Sequence, residues 1–484
     1  MSGDLNPVYA VLGAPLVSAA LLALAPGRHQ ILAARLNALA SLVTLAAGAS
    51  LFFVRPAATR LIFIDDFNIY LVVLTAFVGF TTSLFSAGYI RHELETGRLD
   101  PAKLRFYHAM YQAFLFTMLL ALVANNLGVM WVAVEGATLT TALMISLYRT
   151  RESIEAAWKY FILCGVGIAL ALFGTILMYL SAQSVMGSGL EAMAWASIIH
   201  QASRFDPAIL NLAFVFLLVG YGTKVGLAPL HAWLPDAHAE GPTPISAVLS
   251  GLLLNVALYA VLRFKMLLAA NAAALAPGPM MVTMGLSSLL LAAFMLYRRR
   301  DIKRLFAYSS IEHMGIITFA FGMGGPLANF AGLLHMTMHS LVKSGIFFAV
   351  GHIAQVKGTQ RIAEIRGLTA SHPALGWGFL IAVVAIAGLP PLGIFVSEFL
   401  VVTSTMARVP WLALPLVVGL LVAFGALILR LQGVAFGTPS PQPYKPVGAN
   451  LTPLWAHLGL VLVAGLHLPG PLVQWFQTVA RLLG

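Results

Sequence analysis

Lys224 stands inside an apolar run that opens near Leu210. A lysine at mid-bilayer costs roughly 2.5–3.5 kcal/mol even on a lenient insertion scale, so it is retained for a reason. Gly220, Gly222, Gly226 and Pro229 crowd around it, and His231, Trp233, Asp236 and His238 follow. Glycine and proline loosen the helical hydrogen-bond ladder. A charge and a helix break at one depth point to ion handling rather than to a plain anchor.

Other ionisable residues lie in apolar runs. Glu135 is the only acid in VMWVAVEGATLTTALM, and it is the candidate partner of Lys224. Burial lowers a lysine's proton affinity and a nearby carboxylate raises it, so moving the acid loads or releases a proton. A static ion pair, or an acid snorkelling to water, is the alternative. His335, His339 and Lys343 step by four and form one stripe on a helix, the arrangement of a proton relay or of satisfied structural histidines. Zinc is disfavoured, because Met336 stands where the HExxH pattern needs glutamate and a lysine follows in the stripe. Glu312 and His313 are adjacent in AYSSIEHMG, and Glu398 follows the break GLPPLG. Lys303 reads as an orientation charge; Asp65 and Asp66 precede the third helix, where negative charge suits a helix N-terminus, and read as outer-surface acids without chemistry. His92, His108, His200 and His372 read as interfacial.

The elements that must position these residues are membrane helices. Of 484 residues, 60% are hydrophobic and 9% charged, against about 25% charged in soluble domains. The expected fold is an all-α polytopic membrane protein with about fourteen spanning helices of ~20 residues each. The seventh (208–230) and the twelfth (375–401) are broken. They lie five helices apart, and an odd offset demands inversion across the membrane. The division is residues 1–105 for helices one to three, 106–268 for a first inverted repeat (helices 4–8), 278–432 for a second (helices 9–13), and 433–484 for the last helix (452–469) and an interfacial tail. Ser188–Ser203 reads as a second surface helix.

The net charge of +11 does not imply nucleic acid, because the basic residues lie in short loops. About nineteen, including Arg28, Lys103, Arg299, Lys357 and Lys445, fall on one side and about seven, including Arg263 and Lys265, on the other. The richer side is expected to be cytoplasmic, with both termini on the outer face. No cleavable signal peptide is expected, since the first apolar run lacks a basic leader. Cys164 is the single cysteine, which leaves no disulfide and no Cys cluster for iron–sulfur. No cofactor is expected in this chain, and no nucleophile–base pair, metal cluster or phosphate-binding glycine loop marks it as an enzyme by itself.

LVGYGTKVGLAPLHAWLPDAHAEGPTPISAVLSG, DIKRLFAYSSIEHMG, HMTMHSLVKSGIFFAVGHI and GLPPLGIFVSEF occur in that order. Together they resemble the antiporter-like membrane subunits of respiratory complex I and membrane-bound hydrogenases. The stretch from Trp131 to Gly174 is most similar to hydrogenase-4 component F of the formate hydrogenlyase type. The resemblance implies two inverted five-helix repeats, each offering a half-channel, joined by a polar axis. It implies that Glu135 pairs with Lys224, that His335, His339 and Lys343 connect onward, and that Glu398 guards the second half-channel. It implies membrane and soluble partner subunits that carry the redox chemistry, in a bacterial or archaeal cytoplasmic membrane. Many relatives place a lysine or histidine on the eighth helix; here Asn255 stands at about that place, and an amide does not titrate. Continuity then needs water or a side chain such as His313. Three readings follow. One is a proton-translocating subunit of a hydrogenase-type complex. Another is a subunit of a multisubunit Na+/H+ antiporter or of a proton-coupled inorganic-carbon uptake system. The third is a scaffold that docks a soluble arm without moving protons.

Overall fold

The computed structural model describes residues 6–24, 30–439 and 450–484. Arg28 and Lys445 lie outside the described residues. Helices α1 (Pro7–Leu24), α2 (Gln30–Ser50), α3 (Asp66–Glu95) and α4 (Pro101–Val123) come first. Next are α5 (Leu127–Ile145), α6 (Arg151–Met186), the short α7 (Trp195–Gln201) and α8 (Pro207–Val225). The chain then turns into α9 (Trp233–Glu240), and α10 (Thr243–Val248) runs through a π turn into α11 (Leu254–Ala269). Helices α12 (Gly278–Leu296), α13 (Ile302–Met323) and α14 (Gly325–Lys357) follow. The chain closes with α15 (Leu368–Ser371), α16 (Pro373–Ile386), α17 (Gly393–Arg408), α18 (Pro410–Phe436), α19 (Thr452–Leu466) and α20 (Gly470–Leu482).

Short polar residues start many of these helices. Asp100, Asn126, Thr150, Asp206 and Asp301 each accept a backbone N–H of the first turn, which satisfies donors that have no intrahelical partner. Small residues let the spans approach. A Cβ on Gly220 would collide with the backbone of Gly167 and Ala171, so α6 and α8 touch main chain to main chain. Helix α14 is the hub. It packs on α3, α10, α13, α16, α17, α19 and α20 and is almost wholly buried.

Among the described residues, eleven helices are long and apolar enough to cross a membrane, or twelve if α19 and α20, bent by 80°, form one span. The fourteen expected spans differ from this at two further places. Helix α13 has 22 residues but carries Lys303, Arg304 and Glu312. Helix α16 has 14 residues, about 21 Å, and the expected span 375–401 is split between it and α17. Both expected breaks are present. Helix α8 ends at Gly226 with φ +82°, and α16 gives way at Gly388 with φ +71°, conformations that favour glycine. Each break carries a cis X–Pro bond, Ala228–Pro229 and Pro390–Pro391. The expected surface helix at 188–203 is a helical turn followed by α7, with Trp195 and Ile198 buried.

Three polar assignments are corrected here. Asp65 caps α3 in a capping box with Asn68, in keeping with its place before that helix. It also forms a bidentate pair with the buried Arg263, at 2.7 and 2.8 Å. Arg263 and Lys265, counted among the loop charges, are both buried. His108, read as interfacial, is buried beside Tyr107. Burial pushes the Asp65 carboxyl up, but Arg263 and the first-turn amides more than offset this and hold it below the usual range. Its contribution to stability is therefore present above the ordinary carboxylate value and lost as pH falls through the lowered one. Asp65→Asn strands Arg263 and should cost about 3–5 kcal/mol, read as an earlier thermal transition in detergent, with the gap to wild type closing in acid.

Candidate functional site

Two groups of buried ionisable side chains lie within the helices. The first joins α5, α6 and α8. Lys224, wholly buried, reaches the protein interior from the last turn of α8. Its Nζ donates to Thr138 Oγ1 at 2.9 Å and to Tyr160 Oη at 2.7 Å, and lies 4.7 Å from the Tyr160 ring centre. Glu135, one turn before Thr138 on α5, is half-buried, while the Thr138 hydroxyl donates to the Val134 carbonyl at 3.2 Å. Among the described residues the acid and the base form no ion pair within 4 Å, and Glu135 Oε2 has no hydrogen-bond partner.

The second group joins α13, α14 and α17. His335, His339 and Lys343 are fully buried along α14. His313 Nδ1 lies 2.9 Å from His335 Nε2, and His335 Nδ1 lies 2.9 Å from Ser397 Oγ. The His313 and His339 rings are 5.6 Å apart. Glu398 follows Ser397 and brings a carboxylate oxygen within 4.8 Å of His313 and His335 nitrogens. Lys343 Nζ is held by the Phe306 carbonyl at 2.8 Å and is electrostatically coupled to the buried Glu312. His313, His335 and Glu398 are the one trio whose spacing approaches a metal site among the described residues. His313 and His335 already spend nitrogens on each other, the pattern of a hydrogen-bonded wire.

Asn255, on α11, borders the second group. Its amide donates to Ser340 Oγ at 2.7 Å and to the Gly251 carbonyl at 3.2 Å, just after the π turn of residues 249–253, a distortion often found at functional sites. Ser340 neighbours His339 in sequence. His231 is not brought to either group. It sits half-buried on the open side of the α8 break, 6.2 Å from the Tyr308 ring centre.

Comparison with known proteins bears on what this arrangement belongs to. Residues 124–423 match the family model described as NADH:quinone oxidoreductase/Mrp antiporter, TM. The chain belongs to this family of antiporter-like membrane subunits. It is 60% identical to the hydrogenase-4 component F homolog of Methylacidiphilum infernorum over 93% of this chain and 94% of that one. Its fold is similar to a chain of an archaeal membrane-bound sulfane sulfur reductase (TM-score 0.87, 21% identity, 98% of this chain and 97% of that one). It is also similar to a chain of respiratory complex I from Thermus thermophilus (TM-score 0.81, 24% identity, 99% and 100% covered). Integral membrane placement follows from the family and from the apolar helices.

Sequence reasoning missed several residues of the antiporter-like site. Thr138, Tyr160 and Ser397 give no signal, because hydroxyls are common in apolar helices. Lys303 was taken as an orientation charge, yet it is 1% exposed. Its Nζ donates to the carbonyls of Ala239 and Gly241, while its neighbour Arg304 pairs with Asp236 and Glu240 at the rim.

Proposed function

We propose that this chain translocates protons as a membrane subunit of a multi-subunit respiratory hydrogenase or oxidoreductase complex. Electron transfer in partner subunits would drive the cycle. The observation that carries this is the wire His313–His335–Ser397 beside Glu398 and His339, built from groups that each take up and release a proton. The similarity to a hydrogenase-4 component F homolog supports a hydrogenase-type assembly. In this reading Glu135 and Lys224 form the loading pair of a first half-channel. Lys343, Glu312 and the histidines form the axis, and Glu398 is the exit acid of a second half-channel. The reading also takes fourteen crossings, inverted repeats over 106–268 and 278–432, and both termini outside a bacterial or archaeal cytoplasmic membrane. The paired breaks at Gly226 and Gly388 support that symmetry.

The test is proton uptake by the reconstituted complex. Lys224→Ala should lower protons moved per electron transferred, with subunit composition unchanged. Unchanged pumping would remove Lys224 from the mechanism. A second reading, a scaffold that docks a soluble arm, is favoured by Asn255, which interrupts the titratable chain. It predicts full activity after the axis is neutralised.

A further inference from the structure

Three buried ionisable groups on the side rich in basic loops are unused by the axis described above: Glu93, Lys303 and His238. Beside Lys303 lies a cavity of about 230 Å³ lined by Tyr89, Arg98, Tyr148, Glu240, Lys303 and Gln360. The cavity is at the surface, since the Arg98 side chain is 63% exposed. Its inner wall is polar. Glu93 is wholly buried, accepts from Gln355 Nε2 at 2.9 Å and faces Arg98 at 3.6 Å. Lys303 feels Glu93, Glu240 and Asp301. A cation-lined wall backed by three carboxylates is a surface at which water exchanges protons readily.

Two contacts place Lys303 and His238 near Lys343. The Lys343 ammonium is held by the Phe306 carbonyl, one turn beyond Lys303 on α13. The His238 ring stacks on Phe347 with centroids 4.8 Å apart and planes 12° apart, and Phe347 is one turn beyond Lys343 on α14. The Lys303 ammonium also donates to the Ala239 and Gly241 carbonyls, the first of them on the residue that follows His238. Both lysines act electrostatically on His238. The imidazole is fully buried, and neither nitrogen has a hydrogen-bond partner among the described residues. Buried polar groups are nearly always paired; a ring left free at both ends, between two lysines, is placed to accept at one nitrogen and donate from the other.

We propose that this cavity is a separate cytoplasmic mouth of the second half-channel, through which protons reach Lys343 by way of Lys303 and His238 without crossing Asn255. The Lys303 ammonium gives its proton to one His238 nitrogen, and the other nitrogen gives its proton to the neutral Lys343 amine. Water in the cavity recharges Lys303. One proton enters for each that arrives. The amide at Asn255 then interrupts nothing, because the second half-channel is not supplied through it. This rests on the proton-translocation reading and on the orientation proposed above.

The experiment uses the whole complex in vesicles. His238→Phe keeps an aromatic ring against Phe347 and removes both nitrogens. Proton uptake per electron should fall at least about tenfold, the scale of losing one proton-transfer group. Full pumping by His238→Phe, where Lys343→Ala does not pump, overturns the mouth and leaves the translocation reading intact. Pumping that survives Lys343→Ala overturns both. A second arm does not depend on how the core tolerates phenylalanine. Gln360→Cys puts a thiol on the cavity rim, and a charged methanethiosulfonate is added to inside-out vesicles. Cys164 is buried, so the unaltered chain is the control. Pumping by this variant should drop once it is labelled; undiminished pumping after complete labelling overturns the proposal.

Discussion

Lys343→Ala will stop proton translocation by the assembled complex, with a loss of at least about 100-fold in proton flux. Lys343 is where the proposed routes meet. It lies on α14 one turn from His339, is coupled to Glu312 on α13, and is anchored by a single backbone carbonyl rather than by an ion pair within 4 Å. Among the described residues no ion pair within 4 Å must break when its proton moves on. The decisive companion is Lys343→Arg. Arginine keeps the positive charge and the link to the Phe306 carbonyl but does not release its proton. If the lysine is a relay, both variants fail. If it is a fixed charge that holds Glu312, arginine restores pumping and alanine alone fails. Proton uptake into vesicles during electron transfer reads both, with subunit composition as the check on assembly.

The part of this site that was legible in the sequence is the part written along single helices. The step of four from His335 to Lys343 puts three groups on one face whatever lies opposite. Gly226 with Pro229, and Gly388 with Pro390 and Pro391, mark breaks by backbone chemistry alone. What crosses between helices was not legible. In a membrane protein the lipid-facing and protein-facing sides are both apolar, so periodicity does not say which residues of α5 meet α8, or that Thr138 accepts from Lys224. The same blindness let Lys303 pass as a loop charge. Its neighbours Asp301 and Arg304 are rim residues, and only the fold of α9 over the start of α13 shows that the lysine turns inward. The span count differed for a related reason. A buried helix such as α13 carries polar residues that lipid would reject, so composition understates it, whereas a broken helix such as α16 with α17 reads as one run.

Gly315→Leu will destabilise the chain more than any other single glycine replacement on α13 and will take the axis with it. A Cβ at Gly315 would meet the Gly285 carbonyl oxygen at 2.6 Å and the Leu289 nitrogen at 2.7 Å, and a Cβ at Gly285 would meet the Gly315 oxygen at 2.6 Å. These are backbone atoms on the facing helix, so no rotamer change relieves the clash. Side chains inserted into tight packing cost about 1–3 kcal/mol when neighbours yield; here α12 and α13 must separate, and the upper end or more is expected. The functional effect follows from position. Gly315 is two residues beyond His313, whose Nδ1 lies 2.9 Å from His335. A shift of α13 by the width of a methyl group takes that contact beyond hydrogen-bond range. Gly315→Ala asks for the smallest displacement and Gly315→Leu for the largest, so melting temperature in detergent and proton uptake in vesicles should fall together along that series. A variant that melts early yet pumps fully would separate packing from relay and show that the His313–His335 contact is not part of the path.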